Sequence, residues 1–503
     1  MTALDWTVLA GYFVLMVLIG IWSRTKIKTV VDYFTTGGKI PWWLSGISHH
    51  MSGYSAIMFV AFAAVAFTHG ITVYVWWAVS IGVGVGIGAF VFAARWNRLR
   101  AKHGVVSPLE YLARRYNLPT QQALAYSGAA LKVVDIASKW VAISILLNGF
   151  TGVPMRWGIL LTGVVTMAYA TLGGLWADVL TDFGQFVIQF GAGIAMFVGV
   201  LAQLDGVPTL WTMWDQLPEG HGDPLNGPYT TVFLIAFLFI KTFEYNGGMW
   251  NLAQRYMAAP SGSAAKKSAL LSSFLWLVWP LILFIPMCAA PLLVSPGKPE
   301  ESYVELAQLL LPTGLIGLVL AGFFSHTMAM VASDANVISS VITRDLAPVL
   351  VPKLRRLSDA ATLKFARITT FTFVTISMLI AILTNGQGVV LKIVVDLVAA
   401  TMGPISIPLM LGLLPWFKRS GARAALASWA SGLVVWAIVK WGIESTDTTL
   451  VVALPLATSL VVYVGLGLLM PERRSDVDEL VDSLNSDPDE TDDAAARRAA
   501  AVN

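Results

Sequence analysis

The sequence predicts an all-α integral membrane protein that crosses the bilayer about thirteen times. Of its 503 residues, 56% are hydrophobic and 13% are charged, whereas about a quarter of the residues in a soluble domain are charged. Basic residues crowd alternate loops, for example Arg255, Lys266 and Lys267 after the seventh span. The positive-inside rule therefore places the N-terminus outside and the C-terminus inside. Apolar stretches long enough to span the hydrocarbon core lie near residues 4–22, 42–69, 71–93, 122–147, 156–173, 179–203, 230–250, 268–294, 313–340, 366–384, 391–415, 422–440 and 450–470.

Composition also narrows the function and divides the chain into two parts. The single cysteine, Cys288, excludes a disulfide framework. The sequence has no sizeable soluble basic domain and no Walker, HExxH or GxSxG motif, which argues against nucleic-acid binding, ATP-driven transport and enzymatic catalysis. A transmembrane domain over residues 1–470 precedes an acidic cytoplasmic tail over 471–503, in which Val477, Leu480, Val481 and Leu484 recur at helical spacing. Compact loops, with no basic region before the first span, indicate a multi-pass plasma-membrane protein.

The second span, Trp42 to His69, carries polar residues at mid-membrane. Its middle reads His49-His50-Met51-Ser52-Gly53-Tyr54-Ser55. Irregular backbone at this depth is tolerated only where protein or a watery cavity surrounds it, and interrupted helices mark the binding site in transporters. The structural alternative is a kinked helix whose histidines pair with neighbouring helices.

The seventh span predicts a second interrupted helix. Lys241, Glu244 and Tyr245 precede Asn246-Gly247-Gly248, which is a poor helix former. Because this break comes five spans after the first, the pattern indicates two inverted repeats, about 42–203 and 230–415, with a binding site between them.

Ionisable residues inside the spans are costly and therefore suggest function. Lys132, Asp135 and Lys139 share one face of the fourth span, where they either neutralise one another or recognise an anion. The other polar positions are Asp178, Thr181, Asp182 and Gln185 in the sixth span, Ser325, His326, Thr327, Ser333, Asp334 and Asn336 in the ninth, and Lys392 and Asp396 in the eleventh.

Several motifs together resemble the sodium:solute symporter family, whose members carry sugars, proline, sialic acid, iodide and vitamins. The resemblance runs from about residue 5 to 470 and implies a fold of the leucine-transporter type, with spans two to eleven as the core and transport by alternating access. The first two matching segments are Tyr33-Phe34 to Gly38 with Pro41, Trp42 and Trp43, and Gly173-Gly174-Leu175-Trp176-Ala177-Asp178 with Thr181, Asp182 and Gln185. The later segments are Gln254-Arg255-Tyr256 with Ala258 and Ala259, then Ser333, Asn336, Ser339 and Thr343-Arg344-Asp345, and finally Gly403-Pro404 with Trp416, Lys418 and Arg419.

The resemblance implies a sodium site, from which this sequence departs. It assigns backbone carbonyls at Met51, Tyr54 and His326 together with the nearby Asp182. The two hydroxyl ligands of the family fall at Ala329 and Met330, which offer no side-chain oxygen to a hard cation. Three alternatives remain. Sodium binds a rearranged shell that includes Thr327 and Ser333, a proton is carried by His326, or transport is uncoupled.

At most of the positions where sugar-carrying relatives bind their solute, this sequence has a different residue. Met58 replaces their glutamine and Trp276 lies near the position of their lysine, whereas their inner-gate tyrosine corresponds to Tyr245. The sequence predicts a secondary active symporter for a small polar organic solute, with a membrane solute sensor as the alternative from another class. The membrane lysines further suggest a carboxylate-bearing solute. Partners are the solute and the lipid bilayer, and homo-oligomerisation stays open. The predicted solute-binding residues are His49, His50, Tyr54, Ser55, Met58, Tyr74, Trp77, Lys132, Lys241, Glu244 and Tyr245.

Overall fold

A computed structural model describes residues 1–384, 402–445 and 447–486, and the regular elements in these ranges are helical. Lys392 and Asp396 of the eleventh span lie outside the described residues, as does the tail beyond residue 486. The helices are α1 (Ala3–Ser23), α2 (Val30–Thr35), α3 (Trp42–Met51), α4 (Ala61–His69), α5 (Ser80–Val91), α6 (Ala93–His103), α7 (Glu110–Arg115), α8 (Leu118–Thr151), α9 (Met155–Gln203), α10 (Thr209–Thr212), α11 (Thr231–Phe243), α12 (Asn251–Ala258), α13 (Gly262–Ala289), α14 (Ser302–Leu310), α15 (Leu315–Val341), α16 (Ala347–Leu350), α17 (Asp359–Leu383), α18 (Ile407–Leu411), α19 (Ala422–Ala437), α20 (Thr448–Leu469) and α21 (Ser475–Ser483).

Eight segments in the described ranges are long and apolar enough to cross a membrane, or up to ten if each of two bent pairs is one span. Helix α9 is one of the eight, yet its 49 residues would extend about 70 Å, more than twice the roughly 30 Å hydrocarbon core. Gly174 interrupts it with φ 49° and ψ −142°. A Cβ there would lie 2.5 Å from the Tyr33 carbonyl oxygen, so glycine permits both the turn and the close approach of α2.

The two bent pairs are the helices whose interruption the sequence predicts, and the structure confirms both breaks. Helices α3 and α4 meet at 48°, and α11 with its terminal turn meets α12 at 56°. A π-helical turn, Glu244–Gly248, ends the first half of the second pair. Gly247 then takes φ 140° and Trp250 φ 63°, so the chain leaves helical geometry before α12 begins.

Helix α15 lies at the centre of the bundle. Every residue from Val319 to Val341 is buried, including the polar side chains of Ser325, His326 and Asp334. Buried polar groups need hydrogen-bond partners. The polar side chains of α15 are therefore expected to contact polar groups of the neighbouring helices.

The tail forms the predicted amphipathic helix, α21, which docks on the basic end of α6. Arg98 and Lys102 donate to the carbonyl oxygens of Leu484 and Ser483 at 2.7 and 2.9 Å. These cations therefore lie at the carboxyl end of α21, where the helix dipole favours positive charge. The apolar side chains that the spacing predicts, Val477, Leu480, Val481 and Leu484, are buried.

Candidate solute and ion site

The two broken helices meet at their breaks. The Tyr245 hydroxyl donates to the Gly53 carbonyl at 2.5 Å, and the Asn251 amide donates to the Ser52 carbonyl at 3.3 Å. A Cβ on Gly53 would lie 2.7 Å from the Trp276 ring and 2.9 Å from the Tyr245 ring. The absence of a side chain at residue 53 therefore lets the second broken helix contact the backbone of the first.

A cavity of about 200 Å³ lies beside these breaks. Both broken helices and α8 line it, and most of the lining side chains are aromatic or aliphatic. Trp250, whose backbone forms the second break, belongs to the wall but was not among the predicted residues. The predicted solute residues that line the cavity are Tyr54, Ser55, Met58, Trp77, Lys132, Lys241, Glu244 and Tyr245.

Three other predicted solute residues lie outside the cavity lining. His49 hydrogen-bonds to the Ser272 hydroxyl at 2.8 Å and to the Tyr245 carbonyl at 3.0 Å. His50 contacts the Tyr54 hydroxyl at 3.1 Å, and the Tyr74 hydroxyl donates to the Leu277 carbonyl at 2.7 Å. The contacts of His49 are those of the structural alternative, because they join the broken helices to each other and to α13.

Arg255 organises a second, fully buried polar cluster. The sequence grouped this residue with the cytoplasmic loop cations, but its side chain is 0% exposed and forms an ion pair with Asp178. Its guanidinium also donates to the hydroxyls of Ser48 at 3.1 Å and Ser52 at 2.9 Å, and to that of Ser333. The cluster therefore joins α3, α9, α12 and α15.

The charges of this cluster do not balance. Asp178 and Asp182 contribute two carboxylates to the one guanidinium of Arg255, which lies 3.6 Å from Asp182. Within the described ranges, the Oδ1 atoms of both aspartates and Oε1 of Gln185 are buried without a hydrogen-bond partner. The three residues are spaced i, i+4 and i+7, so they share one face of α9. Buried carboxylates require compensation, and this face offers oxygen ligands to a further cation.

The residues predicted to bind sodium lie around the first break and this cluster. Met51 ends α3, and Asp182 accepts hydrogen bonds from Ser48 at 2.5 Å and Ser52 at 3.3 Å on either side of it. The Thr327 hydroxyl accepts from the Ala56 N–H at 3.2 Å, which ties α15 to the break.

The other side chains of α15 near the break take different positions. The His326 ring lies 4.5 Å from that of Tyr54, centroid to centroid, and its Nδ1 has no hydrogen-bond partner in the described part of the chain. Met330 lines the solute cavity. The side chain at one of the two expected hydroxyl positions therefore faces the cavity.

The lysines of α8 are neutralised, partly by a residue that the sequence did not assign to them. Lys139 binds Asp135 at 2.9 Å and Asp334 of α15 at 2.8 Å. Lys132 binds Asp334 at 2.9 Å and Asp135 at 3.4 Å. Two ammonium groups thus face two carboxylates, as in the neutralisation alternative.

A membrane-embedded helical bundle with two broken helices around a central cavity defines a secondary transporter. A family model for the sodium:solute symporter family matches residues 33–432, and the chain belongs to that family. The sodium/glucose cotransporter of Vibrio parahaemolyticus is 25% identical over 383 residues, 68% of each chain. The sodium/sialic acid symporter NanT of Aliivibrio fischeri is 24% identical over 487 residues, 92% of each chain.

Solved structures show the same fold. A Na⁺-coupled sialic acid symporter, solved substrate-bound and outward-open, superposes with a TM-score of 0.83 at 20% identity, covering 94% of this chain and 99% of the other. Mhp1, a nucleobase-cation symporter, superposes with a TM-score of 0.57. The family consists of transporters, and the relatives named above are Na⁺-coupled symporters. The protein is therefore a membrane solute symporter and not an enzyme.

Proposed function

We propose that the protein carries a small polar organic solute across the plasma membrane by alternating access, with Na⁺ as the coupling ion. The observation that carries this proposal is the Arg255 cluster. Its two aspartates outnumber its one arginine in a fully buried setting, and unpartnered oxygens of Asp178, Asp182 and Gln185 share one helix face. A hard monovalent cation bound there supplies the missing positive charge.

The coupling of ion to solute follows from the first break. Asp182 accepts hydrogen bonds from Ser48 and Ser52, which flank Met51, and Tyr54 two residues further on lines the solute cavity. Sodium held by Asp182, the carbonyls of Met51, Tyr54 and His326, and the hydroxyls of Thr327 and Ser333 orders this backbone. Ordering it places Tyr54 and Ser55 for the solute, so each ligand favours the conformation that binds the other.

The topology we propose has thirteen spans, with the N-terminus outside and the C-terminus inside. The break at Gly174 supports counting α9 as two spans. Helix α8 spans 34 residues and carries Lys132, Asp135 and Lys139, and we count it as a span because these charges are paired inside the bundle. The repeats 42–203 and 230–415 then each begin with one broken helix. Labelling a cysteine introduced at Ser486 in a Cys288→Ala background tests the orientation, since an internal C-terminus reacts only after the membrane is permeabilised.

A proton is the second candidate for the coupling ion, because buried His326 leaves Nδ1 without a partner in the described ranges. Uptake into proteoliposomes across a panel of solutes, under an imposed Na⁺ gradient and separately under a pH gradient, distinguishes the two. We expect accumulation under the Na⁺ gradient alone. Accumulation that follows only the pH gradient would reject sodium coupling, and equilibration without accumulation under either gradient would indicate an uncoupled carrier.

A further inference from the structure

The charged groups of the solute cavity are not equally accessible. In the cluster of Lys132, Asp135, Lys139 and Asp334, the Asp135 side chain is 20% exposed and Lys132 is 12% exposed, whereas Lys139 is 2% and Asp334 0% exposed. Both lysines bind the Oδ2 atom of Asp135. Its other carboxylate oxygen, Oδ1, makes no hydrogen bond within the described part of the chain and is free to accept one from a solute.

The cavity holds no uncompensated cation among the described residues that line it. Lys132 and Lys139 each contact two carboxylates, and Lys241 is paired with Glu244. A solute carboxylate would have to compete with carboxylates already bound to these lysines. A solute N–H donor would instead meet the exposed oxygen of Asp135 without breaking a pair.

The rest of the wall suits a positively charged nitrogen. The aromatic side chains of Tyr54, Trp77 and Trp250 line the cavity, and the faces of such rings attract cations. The fourth ring, Tyr245, already has the Lys241 ammonium 5.2 Å from its centroid. The volume of about 200 Å³ lies below the range of roughly 300–1,000 Å³ that is typical of drug-sized ligands. The cavity is therefore the size of a small metabolite.

We propose that the solute carries a protonated amine and that Asp135 binds it. The lysines hold the carboxylate through Oδ2, which leaves Oδ1 available to the ammonium group, and the aromatic wall would surround the carbon atoms next to the nitrogen. This assignment rests on the proposed transport function and replaces the carboxylate-bearing solute that the lysines suggest from the sequence.

A binding assay tests the assignment independently of transport. Ethanolamine, ethylene glycol and glycolate each have two carbon atoms and one hydroxyl group. They differ in the second group, which is an ammonium in ethanolamine, a hydroxyl in ethylene glycol and a carboxylate in glycolate. Thermal unfolding of the full-length protein in detergent with Na⁺ reports binding, because a ligand that binds only the folded state raises the melting temperature. We expect ethanolamine to stabilise the wild type most. Greater stabilisation by glycolate, or none by ethanolamine, would overturn the proposal.

Two variants locate the recognition. Asp135→Asn and Asp334→Asn remove the same charge from the same cluster, but only Asp135 faces the cavity. We expect Asp135→Asn to weaken ethanolamine binding about tenfold to a hundredfold, as for loss of a hydrogen bond to a charged group. Asp334→Asn should keep the wild-type order in which the three compounds stabilise the protein. Asp135→Glu should show the preference for ethanolamine that Asp135→Asn loses. Equal loss of the preference in both asparagine variants would assign it to cluster charge and reject Asp135 as the binding group.

The transport function can fail separately from the solute class. Wild-type protein that accumulates a panel solute under a Na⁺ gradient, but binds glycolate in preference to ethanolamine, keeps its transport function and loses this solute class. If the protein prefers ethanolamine but shows no ion-driven flux of it, the assigned solute class stands and the proposed transport function is rejected.

Discussion

Replacing Asp178 with asparagine removes one negative charge from the Arg255 cluster and nearly preserves the shape of the side chain. In the wild type, Arg255 pairs with Asp178 and lies 3.6 Å from Asp182, so one carboxylate charge is left for a sodium ion. In Asp178→Asn the guanidinium neutralises Asp182 alone, and the cluster no longer needs a further cation. We therefore expect weaker sodium binding without loss of the fold.

The spacing of the two aspartates gives the magnitude. They lie one helical turn apart, so a cation held by Asp182 is about 6 Å from Asp178. With an effective dielectric constant of about 20, the lost attraction between unit charges at that distance is about 3 kcal/mol. The expected result is a rise of roughly a hundredfold in the Na⁺ concentration that half-saturates uptake.

The assay is initial uptake into proteoliposomes as a function of external Na⁺, at a fixed solute concentration. Asp345→Asn is the matched control, because it removes another buried carboxylate, one that accepts from Ser107 at 2.5 Å and Gln121 at 2.9 Å and lies outside the Arg255 cluster. The control should keep the wild-type sodium dependence. An unchanged half-saturating Na⁺ concentration in Asp178→Asn would refute the charge argument and show that sodium binds outside the Arg255 cluster.

Three further predictions concern the coupling ion, packing and the tail. His326→Gln should retain Na⁺-driven accumulation, because in the proposed sodium site only the backbone carbonyl of residue 326 binds the ion. Gly88→Ala should lower the melting temperature at a cost of about 1–3 kcal/mol, since the new Cβ would lie 1.8 Å from the Asn246 side chain. His103 contacts the Ser483 hydroxyl of α21 at 2.7 Å. Burial, followed by the charges of Arg114 and Lys102, lowers the pKa of His103 despite the opposing effect of Glu479. Docking of α21 should therefore be strongest above the ordinary histidine pKa of about 6.5 and weaken as pH falls through the lowered value.

Each of these predictions has its own control and contrary outcome. Loss of accumulation in His326→Gln, with exchange intact, would favour the proton. Gly465→Ala, with nothing within 4 Å of its new Cβ, should unfold like the wild type, and an equal loss in both glycine variants would reject the packing argument. Amide hydrogen exchange in α21 measures docking. His103→Gln should remove the dependence on pH, and a pH dependence that persists in this variant would assign it to another group.

Local sequence could predict the breaks because their cause is local. Histidine, hydroxyl and glycine residues interrupt one apolar span, and Asn246-Gly247-Gly248 interrupts another. The side-chain partners required tertiary structure. Asp334 lies 202 and 195 residues from the lysines it neutralises, and no periodicity relates residues at that distance.

Arg255 shows why charge alone misplaced a site residue. A basic residue after an apolar span ordinarily indicates a cytoplasmic loop, but the second break turns α12 back into the bundle and brings its guanidinium to Asp178. A sequence signal for the cluster did exist. Asp178, Asp182 and Gln185 place three oxygen-bearing side chains on one helix face, which is expensive in a membrane unless that face meets a cation.

Helix α6 gives the tail and the second broken helix a common support. Its Trp96 and Asn97 donate to the carbonyls of Asn246 at 2.8 Å and Tyr256 at 3.1 Å, while Lys102 holds the carbonyl of Ser483. A fusion partner or affinity tag should therefore be attached after residue 486, since truncation before α21 leaves the cationic end of α6 without its counterpart.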